Sequence, residues 1–210
     1  MSAPVTPNPG EVAGPDSGDG RRDQMLRAAA QLIAERGLAR TRIADVAQRV
    51  GTSPALVVYY FATKDRLLIE ALRHSEAGFY RTSEDLLRRG GSLAERLDTL
   101  VDLTISMESE GEERGHWGLW FELWCEAFRH PEVAEDRRVL DEQWRELIAR
   151  VIRAGVEAGE IEPLDVETFA IAWAALLDGL AVQVALGDHA VTADRARTVA
   201  LAFAHRELGL

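Results

Sequence analysis

The stretch IADVAQRVGTSPALVVYYF, Ile43 to Phe61, decides how this chain is read. Two short helices that meet at a steep angle need a small residue where their backbones touch, and Ala47 stands there. The turn between them needs a residue tolerant of positive φ, and Gly51 follows four residues later. The second helix needs an apolar residue facing back into the junction, and Val57 follows six after Gly51. Val46 and Val50 complete a small core. The spacing predicts a helix-turn-helix. Ser53 is placed to cap its second helix, with Pro54 at the first helical position.

At 100° per residue, Val57 and Phe61 of that second helix point inward. Tyr59 lies opposite them, Pro54, Ala55 and Leu56 are outward, and Val58 and Tyr60 sit on the flanks. An exposed Tyr59 beside Tyr60 suits a face that meets a partner; the plain alternative is that both rings pack beneath the rest of the protein. ATKDRLL follows, and holds Lys64, the only lysine of the chain, in the first turn of the next helix. A cation is disfavoured there by the helix dipole. A phosphate on that N-terminus reverses the argument, because backbone N–H groups and the ammonium then converge on one anion. Lys64 therefore reads as a phosphate anchor, with a solvated surface charge as the plain alternative.

Working outward, apolar residues recur at three and four, strand signals are nearly absent, and the chain is expected to be all-α. A first helix covers about Arg21–Arg36 and stops at Gly37. A short one runs from a cap at Thr41 to Gly51. A longer one opens at a Thr63 cap and ends near Leu87. Further helices are expected over 93–107, 116–130, 133–158, 165–186 and 192–208. Residues 1–20 contain four prolines and four glycines and neither Lys nor Arg. They read as a disordered tail and not as a signal peptide.

The net charge of −11 is unevenly spread: residues 1–20 carry −3, residues 21–74 carry +5 and residues 75–210 carry −13. A basic block on an acidic body suggests that one end meets a polyanion. No apolar run approaches the length of a membrane span. A single cysteine, Cys125, excludes an internal disulfide, fits a reducing cytoplasm and reads as a small buried apolar group. The five histidines show no metal-ligand spacing, and no nucleophile–base pair or phosphate loop is seen, so an enzyme is disfavoured and no cofactor or metal is expected.

These residues together resemble the TetR family of bacterial transcriptional repressors. The signature covers about Arg21 to Leu72: AAAQLIAERG in the first helix, then TRIADVAQRVGTSPALVVYYFATKDRLL. Val58 stands where that family often has Tyr, Tyr60 where it often has His, and Arg42 where it often has Thr. The segments WGLWFELWCEAFRHPEV and LLDGLAVQVAL are similar to the betaine-regulator subgroup. The resemblance implies a three-helix DNA-binding head over 21–72 on a larger helical ligand-binding and dimerisation body over 73–210. It implies a cytoplasmic homodimer on an inverted-repeat operator in double-stranded DNA, released by a small ligand. The DNA contacts expected are Arg42, Thr52, Ser53, Pro54, Ala55, Leu56, Val58, Tyr59, Tyr60 and Lys64. Arg42 is the long bidentate donor near the groove, and Arg21 and Arg22 could act as a short basic arm.

The dimer reading draws on Phe169, Ala172, Trp173, Leu176, Leu177, Leu180 and Val184, an apolar face with alanines beside it; an ordinary intramolecular core would use the same stripe. Trp117, Trp120, Phe121, Trp124 and Phe128 share one helical face. They can be plain core, or they can line a cavity for an apolar or cationic ligand. Met107, Trp144, Ile148 and Trp173 are the remaining wall candidates, whereas Glu122 lies too far round the helix to serve as counter-charge. A DNA-binding dimer that senses no ligand is the competing reading.

Overall fold

The computed structural model describes residues 18–88, 90–105 and 114–210. Among the described residues the chain is all-α, with nine helices: α1 (Gly18–Arg36), α2 (Ile43–Arg49), α3 (Pro54–Phe61), α4 (Lys64–Arg88), α5 (Leu93–Ile105), α6 (Arg114–Arg129), α7 (Pro131–Glu157), α8 (Val166–Ala185) and α9 (Ala193–Leu208). Helix α1 begins three residues before the expected Arg21; the rest of the expected tail, residues 1–17, lies outside the described residues. The glycine stops carry positive φ, 81° at Gly37 and 66° at Gly51. The Thr52 N–H reaches back to the Ala47 carbonyl at 2.8 Å, closing the turn around Gly51. Pro131 opens α7 at its first position, where a missing N–H costs nothing.

Two apolar cores divide the molecule. One joins Met25, Leu26 and Ile33 of α1 to Val46, Val57, Phe61, Leu67 and Leu68. It also takes in Leu119 and Leu123 of α6 and Val133 and Leu140 of α7, so the head is fastened to the body by shared side chains. The other joins α5, α7, α8 and α9 through Leu97, Leu100, Ile148, Ile152, Phe169, Trp173 and Leu177. Ala196, Ala200 and Ala204 give α9 a flat seam against it.

Helix α8 is long and apolar enough, by length and composition, to cross a membrane. Its Phe169, Trp173, Leu177, Leu180 and Val184 are nonetheless buried within the protein, and it carries Glu167 and Asp178. The remaining apolar face of α8 is open in the single chain: Ile171 is 58% and Leu186 72% exposed, with Ala172 and Ala175 between them.

Candidate nucleic-acid interface and ligand site

The head is assembled by local chemistry. The Ser53 hydroxyl accepts the Leu56 N–H at 3.2 Å and caps α3. Helix α2 starts differently from expectation. Arg42, not Thr41, holds the cap position, and its N–H donates to the Asp45 carboxylate at 3.1 Å. Thr41 is fully buried and its hydroxyl donates to the Gly37 carbonyl at 3.0 Å, so its side chain is committed to the preceding turn. Arg49 binds Glu35 through two hydrogen bonds, 3.0 and 2.8 Å, tying α2 to α1.

On α3, Val57 and Phe61 are buried, and Tyr59 is 81% exposed. Tyr60 is half-buried against the head core, edge-on to Tyr59 with ring centroids 5.6 Å apart. Pro54, Ala55 and Val58 are exposed. Leu56, expected outward, is half-buried and packs on the head core, because the capped first turn brings it against the junction. Thr52 is half-buried and Ser53 exposed. Arg22 does not form a free arm: it lies within α1, pairs with Glu70 and stacks over the Phe61 ring at 5.5 Å.

Helix α3 ends on Ala62, whose φ of 60° and ψ of −51° form a tight γ-turn, with the Thr63 N–H 2.6 Å from the Phe61 carbonyl. Thr63 then caps α4, its hydroxyl accepting from the Arg66 N–H at 3.2 Å. Lys64 is half-buried and donates to the Ala39 carbonyl at 3.4 Å, beyond the usual hydrogen-bond range. That contact brings the α4 N-terminus to the α1–α2 turn, three residues from exposed Arg42. An ammonium has three donors, so a phosphate can still be held. Lys64→Ala is accordingly expected to weaken DNA binding about equally on every sequence and to reduce the salt slope by about 0.9 per half-site. Anisotropy titrations over a salt series check it, and a loss confined to one operator base pair would remove the anchor role.

A second candidate site lies where α6, α7 and α8 meet. Trp120 and Trp124 of α6 have ring centroids 6.2 Å apart, and Phe121 meets Trp124 edge-on at 5.9 Å. From α7, Arg137 reaches over Trp124 at 5.0 Å and Trp120 at 5.6 Å, and its Nε donates to Asp141 at 2.5 Å. From α8 comes Asp178. Burial pushes its carboxyl from 3.8 up to about 6, and nearby Asp141 adds to the rise while Arg137 and Arg145 oppose it. An aromatic surface backed by carboxylates is chemistry for a cation.

Sequence reasoning placed other residues here that the structure does not bring together. Trp173 is fully buried beside α9, its Nε1 donating to the Ala200 carbonyl at 3.1 Å, because its face of α8 turns to α9 rather than α6. Trp144 is buried in the body core. Phe128 is 94% exposed: it occupies the last turn of α6, where the chain leaves for α7. Met107 and the side chain of Trp117 lie outside the described residues. Cys125, expected to be buried, is exposed: it shares the face of α6 that carries Gly118 and Glu122, but lies beyond them, past the end of α1 that those two residues meet. Asp178 and Arg137 were missed. A lone acid in the middle of ALLDGLAV was the available signal for the first; nothing local marks the second. Among the described residues no group of three or more His, Cys, Asp or Glu side chains could hold a metal.

Comparison with known proteins places these features in context. A family model described as bacterial regulatory proteins, tetR family, matches residues 25–71. A second, described as the C-terminal domain of BetI-type transcriptional repressors, matches residues 93–209. The transcriptional regulator BetI of Brucella anthropi is 27% identical over 174 residues, 82% of this chain and 86% of that protein. BetI 1 of Chromohalobacter salexigens is 26% identical over 192 residues, 90% of each. A transcriptional regulator from Saccharomonospora viridis, solved in complex with choline, aligns with a TM-score of 0.81 at 30% identity, covering 90% of this chain and 98% of that one. A TetR-family regulator from Rhodococcus sp. aligns at 0.77 with 27% identity, over 90% and 99%.

Proposed function

This chain belongs to the TetR family of bacterial transcriptional regulators, in its BetI-type branch, and from that premise we propose a DNA-bound repressor released by a small quaternary ammonium compound of the choline type. It is a DNA-binding regulator and not an enzyme. The observation that carries the ligand class is the Trp120–Trp124 surface, which already faces the Arg137 guanidinium, itself paired with Asp141 and within electrostatic reach of Asp178. The choline held by the Saccharomonospora viridis regulator supports the same class.

Residues 21–72 form the reading head and 73–210 the sensing and pairing body. Helix α3 enters the major groove with Ala55, Val58 and Tyr59 outward, Lys64 and Tyr60 hold phosphates, and Arg42 is the donor suited to a guanine. Two chains pair in the cytoplasm through the open face of α8, where Ile171, Ala172, Ala175 and Leu186 await cover. A two-fold dimer then asks for an inverted-repeat operator with half-site centres roughly 34–36 Å apart, or further on remodelled DNA.

Anisotropy with the gene's own upstream DNA, with and without choline, tests the reading. Choline is expected to release the DNA and to quench tryptophan emission. The response depends on pH in a stated direction. Asp178 titrates higher in the folded protein than in the unfolded chain, so its stabilising contribution is fully present below pH 4 and is lost as pH rises through about 6. A bound cation favours the ionised form. Choline should therefore bind roughly tenfold more weakly at pH 5 than at pH 7.5, with the change centred near pH 6. Asp178→Asn should bind weakly with no such slope. Undiminished pH dependence in Asp178→Asn would remove Asp178 from the site, and no choline effect on the DNA complex would leave a regulator that senses something else or nothing.

A further inference from the structure

The effector surface is already occupied by the protein itself. The Arg137 guanidinium stands within about 6 Å of both ring centroids, where the attraction between a cation and an aromatic face is effective. We propose that Arg137 is a built-in occupant of the effector site: a ligand's ammonium group takes the Trp120–Trp124 surface only by displacing the guanidinium, so Arg137 sets the concentration threshold for induction and selects which cations enter. This rests on the quaternary-ammonium reading above and adds a residue that determines both affinity and specificity.

Three observations carry it. The first is exclusion. One pair of rings cannot hold two cations, since like charges brought this close repel strongly in a partly desolvated seam. The second is charge balance. Arg137 is paired with Asp141, and Asp178 feels Arg137 and Arg145 against Asp141, so among these groups positive and negative charge already offset one another. An added cation breaks that balance unless a positive group leaves or Asp178 ionises further. The third is an exit route. Arg137 keeps 23% of its side chain exposed and lies one helical turn before Asp141 on α7. It can swing toward solvent while remaining paired with Asp141.

The selectivity follows from hydration. A guanidinium is weakly hydrated and stacks well, so it is a strong competitor for an aromatic face. A quaternary ammonium is also weakly hydrated and keeps its charge at every pH, so it can match that hold. A primary ammonium gives up more hydration on entering and should fail to displace Arg137.

The test uses the full-length protein, with choline, tetramethylammonium and ethanolamine titrated calorimetrically into wild type, Arg137→Gln and Arg137→Lys. Glutamine keeps a donor toward Asp141 but carries no charge. Arg137→Gln is expected to bind choline and tetramethylammonium at least tenfold more tightly than wild type and to gain measurable ethanolamine binding. Arg137→Lys, a more hydrated and weaker occupant, should fall between the two, and it carries the test should Arg137→Gln fold poorly. Wild-type choline binding with equal or weaker binding in both variants would overturn the occupant role while leaving the ligand class intact. Absence of choline and tetramethylammonium binding in all three proteins would overturn the ligand class, and this inference with it.

Discussion

Phe61→Ala is expected to lower stability by about 3–5 kcal/mol, as truncation of a large buried ring does, whereas Tyr59→Ala, two residues away on the same helix, should leave the melting temperature nearly unchanged. Phe61 is almost completely buried, and the Arg22 guanidinium lies over its ring at 5.5 Å. Its core includes Leu119 and Leu123 of α6 and Val133 and Leu140 of α7. The loss should therefore shift one cooperative transition of the whole protein, followed by circular dichroism, and should not melt the head alone. Tyr59 is 81% exposed and contributes little to that core. Its removal should instead weaken operator binding roughly tenfold or more, the equivalent of one good contact at about 1.4 kcal/mol. Equal drops in melting temperature for the two variants would mean that α3 presents a different face.

What the sequence made legible, and what it did not, follows from the range of each interaction. The helix-turn-helix was readable because Ala47, Gly51 and Val57 act on neighbours within a dozen residues, and the caps at Ser53 and Thr63 act within three. The apolar stripe of α8 was readable from its 3.6-residue period, but it was expected to meet a partner chain, and Phe169, Trp173, Leu177, Leu180 and Val184 are instead buried within this one. Trp173 and Trp120 look alike in sequence; one packs on α9 and the other faces α7. Phe128 keeps the period of the α6 stripe, yet lies beyond the covered part of that helix. Helical spacing reports which side chains share a face and says nothing of where that face stops being covered. Arg137 and Asp178 meet the tryptophans only through the packing of α6, α7 and α8, a long-range fact. Gly118 likewise reads as a poor helix residue until its neighbour is known.

That neighbour is the backbone of α1. A Cβ at Gly118 would lie 3.4 Å from the Ala34 carbonyl oxygen and 3.6 Å from its Cα, so α6 rests almost directly on the last turn of α1. One turn later, Glu122 covers Gly37, where a Cβ would approach its Oε1 to 2.7 Å. Trp120 and Trp124 lie more than 100° round the helix from Gly118. On the function proposed above, α6 has the effector surface on one side and the head on the other, with no flexible side chain between α6 and α1 at Gly118 to absorb a shift. A displacement of α6 by ligand is therefore expected to move α1 and, in the proposed dimer, the spacing of the two reading heads. Gly118→Ala should be tolerated, because its contacts would be ordinary van der Waals ones and alanine favours helix by up to about 1 kcal/mol. Gly118→Leu has no room and must lift α6 from α1, at about 1–3 kcal/mol of stability. Its larger effect is on communication. Choline affinity, read by tryptophan quenching, should stay within a few-fold of wild type, while the ratio of operator affinities with and without choline should collapse toward 1 from a value typically between about 5 and 150. A wild-type ratio in Gly118→Leu would show that the signal bypasses this contact, leaving α4, which packs on α1 from the head side, as the carrier.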